Sequence, residues 1–176
     1  MKKWVNGEIL LIMLKKMTAV LCIFASLFFF SSCKMPERQD WSQLIYMTDR
    51  ILEDIEIDIG DSFFYDGKWF LIVSAAPGND ILITAVEDEN LLITSFSVTA
   101  LNTGSEGNAE VFQRVASAVV KVFSGEENAS VLLDGVGLFS EGRVFSEETF
   151  FCENGRYAIT FFNAEEGCSL MGELLY

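Results

Sequence analysis

Asp54, Glu56 and Asp58 alternate with isoleucines, and closely spaced carboxylates are the ligands that Ca²⁺ prefers. A helix-loop-helix calcium site also needs glycine at its sixth position and glutamate at its twelfth, where this chain has Ile59 and Tyr65. Alternation with isoleucine is instead typical of a half-buried strand, with its carboxylates in solvent along one face. We therefore predict a strand across 54–59 and no metal site.

Pairs of neighbouring carboxylates suggest a second chemistry, because glycosidases use two such groups. Four pairs fall at predicted turns or strand ends: Glu87/Asp88, Glu126/Glu127, Glu147/Glu148 and Glu165/Glu166. The chain contains no histidine, which excludes Ser-His-Asp and Cys-His catalysis and removes the commonest zinc ligand. We expect no catalytic residues and no cofactor. The alternative is a glycosidase-like hydrolase that uses acidic residues.

Fifteen residues separate Cys152 from Cys168, and no zinc motif uses that spacing. Predicted turns in two successive hairpins place Cys152 opposite Tyr157 and Cys168 opposite Asn163. Those two contacts are about 20 Å apart along one strand, whereas a disulfide needs Cα atoms within about 7 Å. We predict that the two thiols are not bonded to each other.

The N-terminal segment has the pattern of an export signal. Two lysines at 15–16 precede an uncharged apolar run at 19–30, which is shorter than the roughly 20 residues of a spanning helix. Two serines follow at 31–32. A basic start, an apolar middle and small residues at the end are typical of a secretory signal peptide. The basic segment is most compact when the chain starts at Met13 or Met17, so we expect the functional start at one of them.

The Phe-Ser-Ser-Cys sequence that ends at Cys33 resembles the lipobox of bacterial lipoproteins, although that family usually has leucine in place of the phenylalanine. In that family the signal is cleaved before the cysteine, and the thiol carries lipid. The resemblance implies a signal peptide at 1–32, a lipidated tether at 33–39 and attachment to a bacterial membrane through Cys33. The exported part would then face the periplasm or the cell exterior.

Acidic residues dominate the exported part of the chain. The whole sequence has 26 acids and 12 bases, and residues 1–32 hold four of those bases and one of the acids, so the remainder carries a formal charge of −17. Such a charge repels nucleic acid and anionic lipid headgroups. We expect no nucleic-acid partner, and a protein is the expected partner beside the membrane.

Hydrophobic periodicity predicts one α+β domain at 40–176. Helical spacing predicts a helix that begins after Asp40 as its N-cap and a second helix over 108–124. Strands are predicted at 54–59, 68–75, 81–87, 91–101, 130–139, 143–152, 156–163 and 168–175. We therefore predict an antiparallel sheet of about eight strands with two helices. Similar turn spacing, such as the 75 positions from Gly67 to Gly142, predicts two related helix-plus-four-strand halves at 40–103 and 108–176.

Several predicted strands are apolar on both sides. Two helices cover one face of one sheet, so Phe70, Ile72 and Phe162 are predicted to lie on the other face, as an apolar patch of the kind that marks a partner site. The alternative is that a loop, the other half or a dimer mate covers these side chains. We expect a membrane-anchored, non-enzymatic binding or structural module at the cell envelope.

Overall fold

The structure, a computed structural model, describes residues 38–55, 57–75, 80–101, 106–145, 147–164 and 167–175. Cys33 and the predicted signal peptide lie outside the described residues, as do Glu56 and the Glu165/Glu166 pair. In chain order the elements are α1 (Trp41–Ile51), β1 (Asp58–Ile59), β2 (Phe63–Tyr65), β3 (Lys68–Ser74), β4 (Asp80–Glu87), β5 (Ile93–Leu101), α2 (Glu106–Ser124), α3 (Glu126–Val136), a 3-10 turn (Arg143–Phe145), β6 (Thr149–Glu153), β7 (Tyr157–Ala164) and β8 (Gly167–Leu174).

All eight strands belong to one antiparallel sheet, which confirms the predicted α+β class. The strand order is β1-β3-β4-β5-β8-β7-β6, and β2 also pairs with β3. Two three-stranded meanders, β3-β4-β5 and β6-β7-β8, meet through β5 and β8. The order of these meanders on one side of the β5–β8 pair therefore mirrors the order on the other. The predicted helix-plus-four-strand halves are nevertheless wrong for the described residues, since the first half has one helix and five strands and the second has two helices and three strands.

Three helices are present among the described residues, one more than predicted. The predicted strand at 130–139 is wrong, because α3 occupies most of that range. Ala129, Leu132, Leu133 and Val136 are buried at helical spacing, and acidic residues fill the first turn of α3, where the positive end of the helix dipole favours them. The long apolar run and its glycines masked this periodicity in the sequence.

Two other predicted strands are shorter than expected. At 54–59, the chain turns after α1 and only Asp58–Ile59 is a strand, while the Asp54 carboxylate pairs with the Arg114 guanidinium of α2. At 143–152, the chain first forms the 3-10 turn, and β6 begins only at Thr149. The predicted solvated strand face therefore holds for Asp58 but not for Asp54.

The predicted cysteine register is half right. Cys168 pairs with Asn163 as expected, but Cys152 pairs with Ile159 rather than with Tyr157. The turn between β6 and β7 lies one residue later than predicted, at Gly155 and Arg156, because the backbone N–H of Asn154 donates to the carbonyl oxygen of Tyr157 at 3.0 Å. The Asn154 side chain also accepts the N–H groups of Arg156 and Tyr157. The two contacts are thus about 13 Å apart along β7. No disulfide joins Cys152 and Cys168.

One face of the sheet carries the hydrophobic core. Leu71, Ile83, Val98, Leu170 and Phe161 form a buried row across five neighbouring strands on this face. The helices pack here, as ring contacts of α2 with β5 and β7 and the buried stripe of α3 indicate. The face on which the helices pack is called the helix face below.

The first helix begins as its sequence predicts. The Asp40 carboxylate accepts the backbone N–H of Gln43, and the Gln43 side chain accepts the backbone N–H of Asp40, which completes a capping box. Trp41, Leu44 and Thr48 form the buried stripe of α1. This helix therefore lies on the same face as α2, with Leu71 and Val73 of β3 lining the space beneath it.

Candidate functional site

The opposite face of the sheet is covered by none of the three described helices, and it is called the open face below. Its side chains follow from the register because successive residues of a strand point to opposite faces. One cross-strand row on it comprises Phe63, Phe70, Thr84, Ser97, Met171, Thr160 and Phe151. The next row comprises Ile72, Leu82, Thr99, Ser169, Phe162 and Thr149.

The structure places Phe70, Ile72 and Phe162 on the open face. Ile72 is 45% exposed, whereas Phe70 and Phe162 are half-buried. Phe70 is stacked on Phe63 of β2, with ring centroids 5.2 Å apart. Ile72 on β3 and Phe162 on β7 are separated by four strand spacings, about 19 Å. The structure therefore has two apolar clusters near the two edges of the sheet in place of one patch. They comprise Phe63, Phe70 and Ile72 at one edge and Phe151 and Phe162 at the other.

A stripe of hydroxyl groups separates the two clusters. Thr84 and Ser97 are joined by a hydrogen bond of 2.8 Å between their hydroxyl oxygens, and Thr99 and Ser169 by another of 2.8 Å. A hydroxyl has one donor and two acceptor sites, so each pair keeps further hydrogen-bonding capacity. This stripe was not predicted from the sequence. Its signal is the run of small hydroxyl residues at every second position of β5, which includes Ser95.

A groove of about 290 Å³ crosses one end of the open face. Its lining includes Thr84, Ser97, Thr160 and Met171 from the row described above. The volume is at the lower end of the range for small-molecule sites. Its polar centre and apolar flanks are suited to a partner that presents hydrogen-bonding groups next to apolar ones.

The lining of the groove includes one positively charged and one negatively charged side chain. Lys68 on β3 and Glu173 on β8 lie on its two sides, three strand spacings or about 14 Å apart. Glu173 is the one carboxylate among the lining residues, and Glu153 lies two strands away across Ala158. The groove therefore does not hold two carboxylates.

The Glu87/Asp88 pair has structural contacts for both of its side chains. Glu87 accepts the backbone N–H of Trp41 at 3.0 Å with one oxygen and the indole N–H of Trp69 at 2.9 Å with the other. The two indoles are stacked, with centroids 5.7 Å apart. Glu87 therefore joins the start of α1 to β3 on the helix face.

Asp88 organises the turn between β4 and β5. Its carboxylate accepts the backbone N–H groups of Leu92 at 3.1 Å and Asn90 at 2.9 Å, and forms an ion pair of 2.9 Å with Arg38. The hydrogen bond from Leu92 is the main reason why the pKa of Asp88 lies below its ordinary value, with Asn90 and Arg38 acting in the same direction. The carboxylate therefore acts as a turn-forming acceptor.

The Glu126/Glu127 and Glu147/Glu148 pairs lie outside the groove. Glu126 forms an ion pair of 3.0 Å with Lys121 at the junction of α2 and α3, and Glu147 and Glu148 are exposed just before β6. Among the residues that the structure describes, no three His, Cys, Asp or Glu side chains are grouped so that they would hold a metal ion. Within the same residues, no helix combines the length and the apolar character that crossing a bilayer requires.

No protein-family model, curated protein or solved structure matches this chain.

Proposed function

We propose that this chain is a lipid-anchored protein of the bacterial cell envelope, and that its α+β domain binds a partner over the open face of the sheet without catalysing a reaction. One observation carries the binding role. The three described helices pack on the helix face, while the open face presents two apolar clusters, a hydroxyl stripe and a groove. Monomeric proteins rarely leave such apolar surface uncovered unless it is functional.

The anchor is supported by the sequence around Cys33. Small residues precede this cysteine, and the apolar run before them is too short to span a bilayer. Replacing Cys33 by alanine should abolish fatty-acid labelling and leave unprocessed precursor. Continued labelling of that variant would contradict the anchor.

Site-specific photo-cross-linking tests the binding face. A photoreactive phenylalanine analogue replaces Ile72 or Met171, which are exposed on the open face. Val131 is the matched control, because it is similarly exposed but belongs to α3. In intact cells, both open-face positions should give a cross-linked product of the same mass, and Val131 should give none. Equal cross-linking from Val131, or none from the open face, would contradict the proposal.

The alternative of a glycosidase-like hydrolase requires two carboxylates about 5 to 10 Å apart at one site. Glu173 lines the groove, and the nearest carboxylate on the same face, Glu153, lies outside it. Glycoside hydrolysis that is lost in both Glu173→Gln and Glu153→Gln variants would favour the alternative over a binding module.

A further inference from the structure

A hairpin of exposed aromatic side chains stands at one edge of the sheet. Phe63, Phe64 and Tyr65 of β2 are 51%, 57% and 70% exposed. Asp66 and Gly67 connect β2 to β3, with φ angles of 48° and 77°. Positive φ at both central residues is typical of a type I′ turn, which matches the twist of paired strands. Residues 63–69 are called the aromatic hairpin below.

The exposed rings are held in place by stacking on β3. Phe63 lies on Phe70 with nearly parallel rings, and Phe64 packs edge-on against Trp69 at 5.1 Å between centroids. Glu87 fixes Trp69 in turn through its indole N–H. Phe63 and Phe64 thus pack against β3 on opposite faces of the sheet while remaining more than half exposed.

The tip of the aromatic hairpin lies at the end of the sheet where the described chain begins. Because Trp69 pairs with Ala85 in antiparallel register, the start of β3 and the end of β4 are at the same end. Arg38 is held at this end too. Its guanidinium donates to the carbonyl oxygen of Leu92 at 3.2 Å and pairs with Asp88, both in the β4–β5 turn. Arg38, the first described residue, is therefore at the same end of the sheet as the tip of the aromatic hairpin, and this end is called the tether end below.

We infer that the aromatic hairpin rests in the lipid interface of the membrane to which Cys33 anchors the chain. This inference rests on the proposed lipid anchor. Cys33 precedes Arg38 by five residues, and five residues span at most about 18 Å. A lipid on Cys33 therefore holds the tether end of the sheet within that distance of the bilayer surface, with the exposed rings at the same end.

The side chains of the aromatic hairpin fit an interface between water and hydrocarbon. Tyrosine is enriched in membrane interfaces because its ring is apolar and its hydroxyl is polar. Lys68 can bury its stem among the rings and keep its ammonium group among the headgroups. Acidic side chains at the same end, among them Asp66, Asp88 and Glu89, repel anionic headgroups. The surface that fits best is one of zwitterionic lipid.

Fluorescence of the full lipidated chain in vesicles tests this placement. The Tyr65→Trp variant adds an indole at the tip, and Phe139→Trp is the matched control. Phe139 is 57% exposed but follows Leu138, whose carbonyl oxygen is bonded to Gln113 in the middle of α2, away from the tether end. Both variants are reconstituted in phosphatidylcholine vesicles whose acyl chains carry bromine, a contact quencher of indole emission.

The added emission of Tyr65→Trp should be mostly lost in brominated vesicles, while that of Phe139→Trp should be unchanged. A chain that carries lipid on Cys33 but leaves Tyr65→Trp unquenched would overturn the hairpin inference alone. A chain without lipid on Cys33 would overturn the anchor and the hairpin inference together. Stronger quenching in brominated vesicles enriched in anionic lipid would overturn the assignment to zwitterionic headgroups.

Discussion

Gly172 of β8 lies directly beneath the ring of Phe96 of β5, its cross-strand partner on the helix face. A Cβ atom at residue 172 would stand 2.2 Å from Cε1 of that ring. The ring is 3% exposed and packs edge-on against Phe123 of α2 at 4.9 Å between centroids, so moving away from an added Cβ would disturb that contact. Phe123 also packs against Tyr157 of β7 at 5.3 Å. Glycine at 172 thus makes room for the aromatic contact that joins α2 to both meanders.

Replacing Gly172 by alanine should therefore lower the free energy of unfolding by about 1–3 kcal/mol, as overpacking of a core does. Denaturant unfolding monitored by circular dichroism measures this loss. Gly107→Ala is the matched control, because no atom lies within 4 Å of a Cβ there and the residue is in a helix, where alanine is favoured. In a Phe96→Leu background the penalty of Gly172→Ala should shrink, and a full penalty there would contradict the contact.

A second close approach joins α3 to the edge strand β6. A Cβ at Gly135 would lie 2.2 Å from the Sγ atom of Cys152 and 2.8 Å from its Cβ. Gly135→Ala should destabilise the fold, although alanine is the better helix former. In a Cys152→Ala background the thiol is gone, so the same change should cost less. A double-mutant cycle measures that difference, and additive effects would contradict the contact.

The predicted and observed structures differ where contacts between distant residues, rather than local sequence, determine whether a segment is a helix or a strand. Local signals were sufficient for the N-cap at Asp40, for α2 and for the strands β3 and β7. They failed at α3, where a run rich in leucine and valine between glycines fits a helix or a buried strand equally well. Burial of Ala129 and Val136 against the sheet settles that choice, and contacts between distant residues are not visible in local spacing.

The sequence likewise predicted only part of the candidate site, namely its apolar residues. Two-residue periodicity was sufficient to place Phe70, Ile72 and Phe162 on one face, since each is flanked by residues that point the other way. The hydroxyl stripe between them required the β5–β8 pairing, which brings Thr99 opposite Ser169 from 70 positions away. The aromatic hairpin likewise became visible only when β2 was seen at an edge of the sheet.

The Asp88 turn should make part of the stability depend on pH. The pKa of Asp88 is lower in the folded chain than in the unfolded chain, chiefly because of the hydrogen bond from Leu92. The unfolded chain therefore binds a proton first as the pH falls. The contribution of Asp88 is complete above the unfolded pKa of about 3.9 and is lost as the pH falls below it.

Asp88→Asn should remove the part of the folding stability that is lost as the Asp88 carboxylate is protonated. Thermal unfolding midpoints measured between pH 6 and pH 3 should fall less steeply in the variant than in the parent chain. Asp134→Asn is the control, an exposed acid of α3. An equal slope in the parent and the Asp88 variant would mean that the turn does not depend on the charged carboxylate.

Phe161 and Phe162 are neighbours on β7 that point to opposite faces, and they separate the core from the proposed binding surface. Phe161 is fully buried and packs on Phe112 of α2, whereas Phe162 is half-buried on the open face. Truncating a buried phenylalanine typically costs about 3–5 kcal/mol. Phe161→Ser should therefore lose at least that much unfolding free energy, and Phe162→Ser should lose about 1 kcal/mol, as an average substitution does.

A double variant with Phe70→Ser and Phe162→Ser tests whether these two side chains act in partner binding or belong to the core. If the open face binds a partner, this variant should lose only about 2 kcal/mol of unfolding free energy, about 1 kcal/mol for each substitution, and should lose the cross-linked product formed from Met171. The face would then be a surface whose apolar groups act in binding. A loss of several kcal/mol comparable to that of Phe161→Ser would mean that both side chains belong to the core, because only a packed site imposes so large a cavity penalty.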